Sequence, residues 1–224
     1  MEAKVIRLSL LNHLFYFTEV SGGKTSATVT GNFIGDLALT YSFEKVLKAS
    51  GGYYRHLETP VYEEIRDFGF YCTVARPLER SNKTEAYIQN TLFDVDGFVD
   101  IKAIEKSGKS PFKNFRQVQG LRIGTSFQAL FLSEKKMPLP PVIRVGRALE
   151  TLVLVEEMVL PPTDEFWLNA FSLKTVFNNL DTATEIMVKS QKVNFSFLLE
   201  NYNLIKQLSS EEVKTIFKPV FKDG

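Results

Sequence analysis

An α+β fold is predicted by three observations on this 224-residue chain. Its elements run strand, helix, strands, a long polar middle stretch, then strands again, an order that segregates helix from strand. Its composition, 44% hydrophobic and 24% charged, is that of a globular protein with a sizeable core. No internal repeat or low-complexity segment divides it, so one large domain, or one domain with an insertion, is expected.

The elements follow from the pattern of residues. Lys4–Thr18 mixes alternating and continuous apolar positions and reads as a strand bent near Asn12. A polar turn follows at Ser21-Gly22-Gly23-Lys24, then a short β-branched strand over Ser26–Thr30. Asn32 is placed to cap a helix running to about Lys48, with Asp36 near its positive end, Lys45 and Lys48 near its negative end, and Gly51-Gly52 as its stop. The apolar residues of that helix cover more than one face, as expected of a helix buried in the core or against a partner. Phe68–Ala75 reads as a strand closed by Arg76-Pro77. Shorter strand-like pieces fill residues 80–141, and Leu149–Leu160 reads as a long strand ended by Pro161-Pro162. For Phe195–Leu208, periodicity leaves strand and helix both open. Ser209 and Glu212 match a capping box ahead of a short last helix.

The net charge of +1 conceals an asymmetry. Between Lys102 and Arg147 stand ten basic residues against only Glu105 and Glu134, a net of +8 that leaves −7 for the rest of the chain. Such a segment can form one positive face for a polyanion, or be a set of solvated loop lysines. Aromatics threaded through it, in Phe112-Lys113-Asn114-Phe115-Arg116, suit base stacking beside phosphate pairing. The glycines of Arg122-Ile123-Gly124 and Arg144-Val145-Gly146 would let a nucleic-acid backbone approach closely. Phe112 and Phe115 fit a hairpin core equally well.

Catalytic and metal motifs fail one by one. Gly22-Gly23-Lys24-Thr25 is not a P-loop, because Thr18 stands where the first glycine must be and β-branched residues follow the lysine. His13 and His56, the only histidines, have no partner motif, and with Cys72 they make no metal-ligand spacing. Asp94, Asp96 and Asp100 miss the EF-hand spacing. No nucleophile elbow or dinucleotide fingerprint occurs. No cofactor and no metal are expected. One cysteine fits a reducing compartment, no apolar run approaches the ~20 residues that cross a bilayer, and MEAKVIRLSL is not expected to be a signal peptide, so a cytoplasmic location without membrane contact is anticipated.

The run HLFYFTEVSGGKTSATVTGNFIGDLALTYSF resembles the opening of the type I-D CRISPR-associated Cas-five (Csc-one) family. Phe15–Phe17 and Gly31–Tyr41 correspond to its aromatic pair and helix start, Tyr71–Pro77 to its strand end, and Arg122-Ile123-Gly124 and Ile143–Gly146 to its Arg-hydrophobic-Gly segments. The resemblance implies a ferredoxin-like (RRM-like) core of the RAMP superfamily, here a single domain over 1–224 with a basic, β-rich insertion at about 80–147. It implies a non-catalytic subunit of a Cascade-type interference complex that caps the 5′ handle of CRISPR RNA and contacts the large subunit and backbone subunits. Contact with target DNA near the PAM stays open. Lys24, Asn32, Lys113, Arg116, Arg122, Arg144 and Arg147 are the expected phosphate contacts and Phe115 the stacking residue, with Asn32 and the first amides of its helix as an anion site. The alternative is a metal-independent endoribonuclease acting on precursor RNA through a histidine or tyrosine base, since the equivalent subunit of one related subtype cuts RNA.

Overall fold

A computed structural model describes residues 1–21, 27–48, 61–80, 82–90, 115–146, 151–192, 195–199 and 201–221. Its centre is a six-stranded antiparallel sheet built from β1 (Glu2–Leu10), β4 (Phe70–Cys72), β5 (Arg76–Pro77), β8 (Ser126–Ser133), β9 (Val142–Val145) and β10 (Thr151–Glu157). The strands lie in the order β4-β8-β1-β10-β9, and β5 extends β4 along β8. A second sheet, β2-β3-β7-β6, joins the hairpin of β2 (Phe17–Ser21) and β3 (Ala27–Thr30) to β7 (Phe115–Gln119) and β6 (Tyr87–Asn90). A third, β11-β13-β12, comes from β11 (Phe166–Asn169), β12 (Phe195–Leu199) and β13 (Tyr202–Leu208). The segment left open between strand and helix is therefore a β-hairpin, β12 pairing β13.

Helix α1 (Asp36–Leu47) covers one face of the main sheet, where Ile6, Leu8 and Leu10 share a side with Phe127, Ala129 and Phe131. Phe43 of the helix meets Phe131 with ring centroids 5.1 Å apart. The opposite face is covered over its β4–β8 half by the C-terminal unit, with Tyr71 between Phe177 and Phe217 at 5.0 and 4.9 Å. That unit includes a π-helical turn (Ser172–Val176), α2 (Leu180–Lys189) and α3 (Ser210–Phe217). Because β8 is covered on both sides, Phe127–Ser133 are all buried and show no alternation. β1 and β10 are covered on one side only and do alternate.

Helix α1 starts later than the sequence predicts. Asn32 is exposed in a bend and caps nothing; Gly35 is the cap residue and offers no side-chain bond. The cause is the sheet, because Ile34 and Ala75 exchange both backbone hydrogen bonds at 3.0 and 2.9 Å, holding the chain extended until Gly35. The first turn then supplies its own carboxylate. Asp36, fully buried, accepts from Tyr71 Oη at 2.7 Å, Asn169 Nδ2 at 3.0 Å and the Ser172 hydroxyl. Asn32 thus stands three residues ahead of the cap, apart from the helix amides with which it was expected to form one anion site. The predicted strand over Phe68–Ala75 is likewise shorter, since a 3-10 helix (Tyr62–Phe68) runs into it.

Two ferredoxin-like features are present and one is not. β1, α1 and β4 form a split β-α-β with β8 between the strands, and β10 completes the matching strand order. Between β8 and β10, however, the described residues hold strand β9 and no helix. The stretch 80–147 also divides: β6 and β7 build the second sheet, whereas β8 and β9 belong to the main one. No described helix is long and apolar enough to cross a membrane.

Candidate nucleic-acid interface

Antiparallel register decides which side chains share a sheet face, since directly opposed residues point the same way. Applied to the half of the main sheet that the C-terminal unit leaves uncovered, it assembles three rows. Arg7 and Glu156 make one, bounded on the β8 side by buried Gln128; Ser126, Ser9, Leu154 and Val142 make the next; Leu152 and Arg144 begin the third, which Leu11 completes through its amide bond to Leu152 O at 2.9 Å. Arg7 and Arg144 are exposed, and Leu152, Leu154 and Val142 are half-buried. The result is an apolar strip two strands wide with an arginine at each side. Arg7 Nη2 donates to Ser126 Oγ at 3.2 Å, and Ser126 shares a 3.1 Å hydroxyl contact with Ser9.

The top of this face is closed by the bend over residues 11–15. Asn12 Oδ1 accepts the Leu152 amide at 2.6 Å, and Thr151 Oγ1 donates to His13 O at 2.8 Å, tying the bend to β10. On the other side Leu14 and Leu121 exchange backbone bonds at 3.0 and 2.9 Å, and the Ile123 amide donates to His13 Nδ1 at 3.1 Å. The two Arg-x-Gly segments, distant in sequence, thus flank one bend. Arg122 is exposed, and among the described residues neither it nor Arg7 forms an ion pair. Their glycines serve different ends. Gly124, at φ +83, sits in an open turn with nothing within 4 Å of a would-be Cβ, whereas Gly146, at φ +97, is backed by Phe15 O at 3.2 Å and packs chain on chain. Only the former leaves room for a ligand backbone.

The remaining expected contacts fall as follows. Phe115 and Arg116 lie on β7, which leads through Leu121 into the Arg122 turn. Asn32 follows β3, whose Thr30 hydroxyl accepts from the Tyr16 amide at 3.1 Å next to the bend. Lys24, Lys113 and Arg147, together with His56 and Asp94–Asp100, lie outside the described residues. The basic segment does not make one face throughout: Lys135 and Lys136 follow β8, and Arg122 precedes it, so they stand at opposite ends of an eight-residue strand, about 27 Å long. Sequence reasoning missed Arg7 and Ser9. Their signal was present in KVIRLSL, where strict alternation sets them opposite Ile6, Leu8 and Leu10.

Among the described residues no group of three His, Cys, Asp or Glu is placed to hold a metal ion. The sole described histidine, His13, is exposed. The buried titratable groups cluster elsewhere, around Asp36. Burial raises its carboxyl above the ordinary value despite the donors from Ser172, Tyr71 and Asn169, and burial likewise pushes the Tyr71 phenol and the Cys72 thiol up. These groups join α1, β4 and the π-helical turn, with no exposed member.

Comparison with known proteins gives three results. No curated protein matches the chain. Among solved structures, it is similar to a chain of a type IV-B CRISPR complex, at 9% identity and TM-score 0.40, over 72% of this chain and 93% of that one. It is also similar to a chain of the type III-B Cmr-beta complex bound to cognate target RNA and AMPPnP, at 8% identity and TM-score 0.40, over 92% and 84%. The motifs that carry the sequence resemblance are those that build the bend, α1 and the two flanking Arg-x-Gly segments. The family match takes them all in, extends past them through the C-terminal unit to cover residues 1–219, and places the chain in the family of the type I-D CRISPR-associated protein Cas5/Csc1.

Proposed function

We propose that this chain is a non-catalytic subunit of a type I-D CRISPR interference complex, acting in the cytoplasm, where it binds and caps the 5′ handle of CRISPR RNA and helps assemble the large and backbone subunits. The observation that carries the RNA reading is the convergence of Arg122 and Arg144 on the bend at residues 11–15, beside the open half-sheet that adds Arg7 and Ser9. Arginines there pair phosphates, the half-buried Leu152–Leu154 strip accepts an unstacked base or ribose face, and the Ser9–Ser126 hydroxyls suit a 2′-hydroxyl. Guide pairing reads the target in such complexes, so this subunit needs only backbone and end shape. The ferredoxin-like core implied by the resemblance is supported by the strand order β4-β8-β1-β10.

The test is direct binding of handle RNA. Arg122→Glu with Arg144→Glu is expected to weaken it by more than about tenfold, because two charge-assisted contacts of about 1.5–3 kcal/mol each become repulsive. Intact binding by that double variant would refute the assignment. The endoribonuclease alternative is kept alive by His13, exposed beside the Arg122 turn with Nδ1 engaged. Repeat RNA incubated with the pure protein in EDTA separates the two: cleavage abolished by His13→Ala would overturn the non-catalytic reading.

A further inference from the structure

The turn that carries Arg122 is held by main-chain acceptors at three amides and by a side chain at the fourth. The Arg122 amide donates to Asn82 O at 2.9 Å, that of Gly124 to Leu10 O at 2.9 Å and that of Thr125 to Arg122 O at 3.3 Å. The Ile123 amide donates to His13 Nδ1 at 3.1 Å. It belongs to the peptide unit joining Arg122 to Ile123, whose carbonyl, Arg122 O, also accepts from Thr125 Oγ1 at 2.8 Å. His13 and Thr125 therefore grip opposite sides of one rigid plane, and the Arg122 side chain leaves from the Cα at its edge.

The turn is otherwise open. Gly124 adopts φ +83 with nothing within 4 Å of a would-be Cβ, and Arg122, Ile123 and Gly124 are all exposed. A glycine so placed leaves the backbone free to reorient, so a side-chain anchor removes disorder that RNA binding would otherwise have to remove. The other arginine segment has no such need, because Gly146 is backed by Phe15 O at 3.2 Å and Arg144 lies in register on β9. His13 is itself well fixed. Thr151 Oγ1 donates to its carbonyl at 2.8 Å, and Leu14 exchanges backbone bonds with Leu121, which brings residue 123 alongside the imidazole. A backbone N–H can only donate, so Nδ1 accepts and the ring proton of the neutral imidazole sits on Nε2. Neither nitrogen has a lone pair free for general-base work while this bond stands.

We infer that His13 is a positioning residue of the RNA interface, whose Nδ1 holds the Arg122–Ile123 peptide so that Arg122 is presented to phosphate. This rests on the reading of the bend as the RNA-binding surface and adds what orients one of its arginines.

The experiment measures the handle-RNA affinity of the full chain in a set of variants. His13→Ala is expected to weaken binding about three- to tenfold, the worth of one hydrogen bond. His13→Asn, whose Oδ1 stands where Nδ1 does, should restore most of that loss. His13→Gln, whose amide reaches the place of Nε2, should not. Because His13 acts through Arg122, the His13→Ala step should cost almost nothing in an Arg122→Gln background and its full amount beside Arg144→Gln. A merely stabilising role leaves the step undiminished in both backgrounds, and that result overturns the inference. Rescue by Gln in place of Asn also overturns it, by making Nε2 a direct RNA contact, and so does wild-type affinity in His13→Ala. In each of these cases the wild-type chain still binds handle RNA; a wild-type chain that does not bind it sinks the RNA reading as well.

Discussion

Asp36 shows how a residue can be placed correctly at a helix start from sequence while its main contacts stay unread. Its place near a helix start fits favourable interaction with the dipole, yet its main task is to accept hydrogen bonds from Tyr71, Ser172 and Asn169 across three elements. Burial raises its pKa, so the folded state holds the proton more tightly than the unfolded state does. By linkage its contribution is fully present below the unfolded carboxyl range near pH 4 and is lost as pH rises through the higher folded value. Asp36→Asn removes this titration. The melting temperature of the wild type, relative to that variant, should therefore fall as pH is raised from 4 towards neutrality; a difference independent of pH would show that Asp36 keeps its ordinary value. Arg7 is the second instructive residue. Turned towards Ser126 and unpaired with any acid among the described residues, it should bind RNA phosphate, and Arg7→Gln should reduce the slope of log affinity against log salt by about 0.7. An unchanged slope would remove Arg7 from the interface.

At the scale of elements, legibility in the sequence tracked how locally each one is determined. The capping box of α3 was readable because it is a contact between residues three apart: Ser209 accepts the Glu212 amide at 3.3 Å and Glu212 Oε2 accepts the Ser209 amide at 2.7 Å. Burial of Glu212 acts to raise its pKa, but its bonds from Lys192 and Ser209 outweigh that and lower it. Ser209→Ala should cost about 1 kcal/mol, seen as a lower midpoint in urea at an unchanged slope. The hairpin of β2 and β3 was equally local and equally legible, and the bend near Asn12 was legible although distant Leu152 and Leu121 hold it. The start of α1 was not, because the Ile34–Ala75 bridge that delays it joins residues far apart. Nor was the role of β8, whose unbroken burial erases the alternation that would mark a strand covered on one side. The interface was half legible. Charge and glycine singled out Arg122 and Arg144, but only register across β1, β10 and β9 brings Arg7, Ser9 and the leucine strip beside Arg144.

For the whole molecule, the surfaces divide by chemistry. Arginines gather at the bend and along the open half-sheet, the exposed apolar pair Val159 and Leu160 stands on the β10–β11 connection, and Lys135 and Lys136 lie a full strand away from Arg122. A net charge of +1 is thus a sum over separate regions of unlike charge, which is why the total says so little about binding.

The order in which the ribosome delivers the main sheet has its own effect. β1 is made well before both strands that pair with it, since β8 and β10 are encoded far downstream of it. At about 5–20 residues per second, the first strand waits several seconds or more with both edges bare. During that interval its Ile6, Leu8 and Leu10 have no permanent partner, and a bare apolar strand is a template for pairing with another nascent chain. Charges within such a strand discourage that error, so Lys4 and Arg7 guard the growing polypeptide before they serve the finished one.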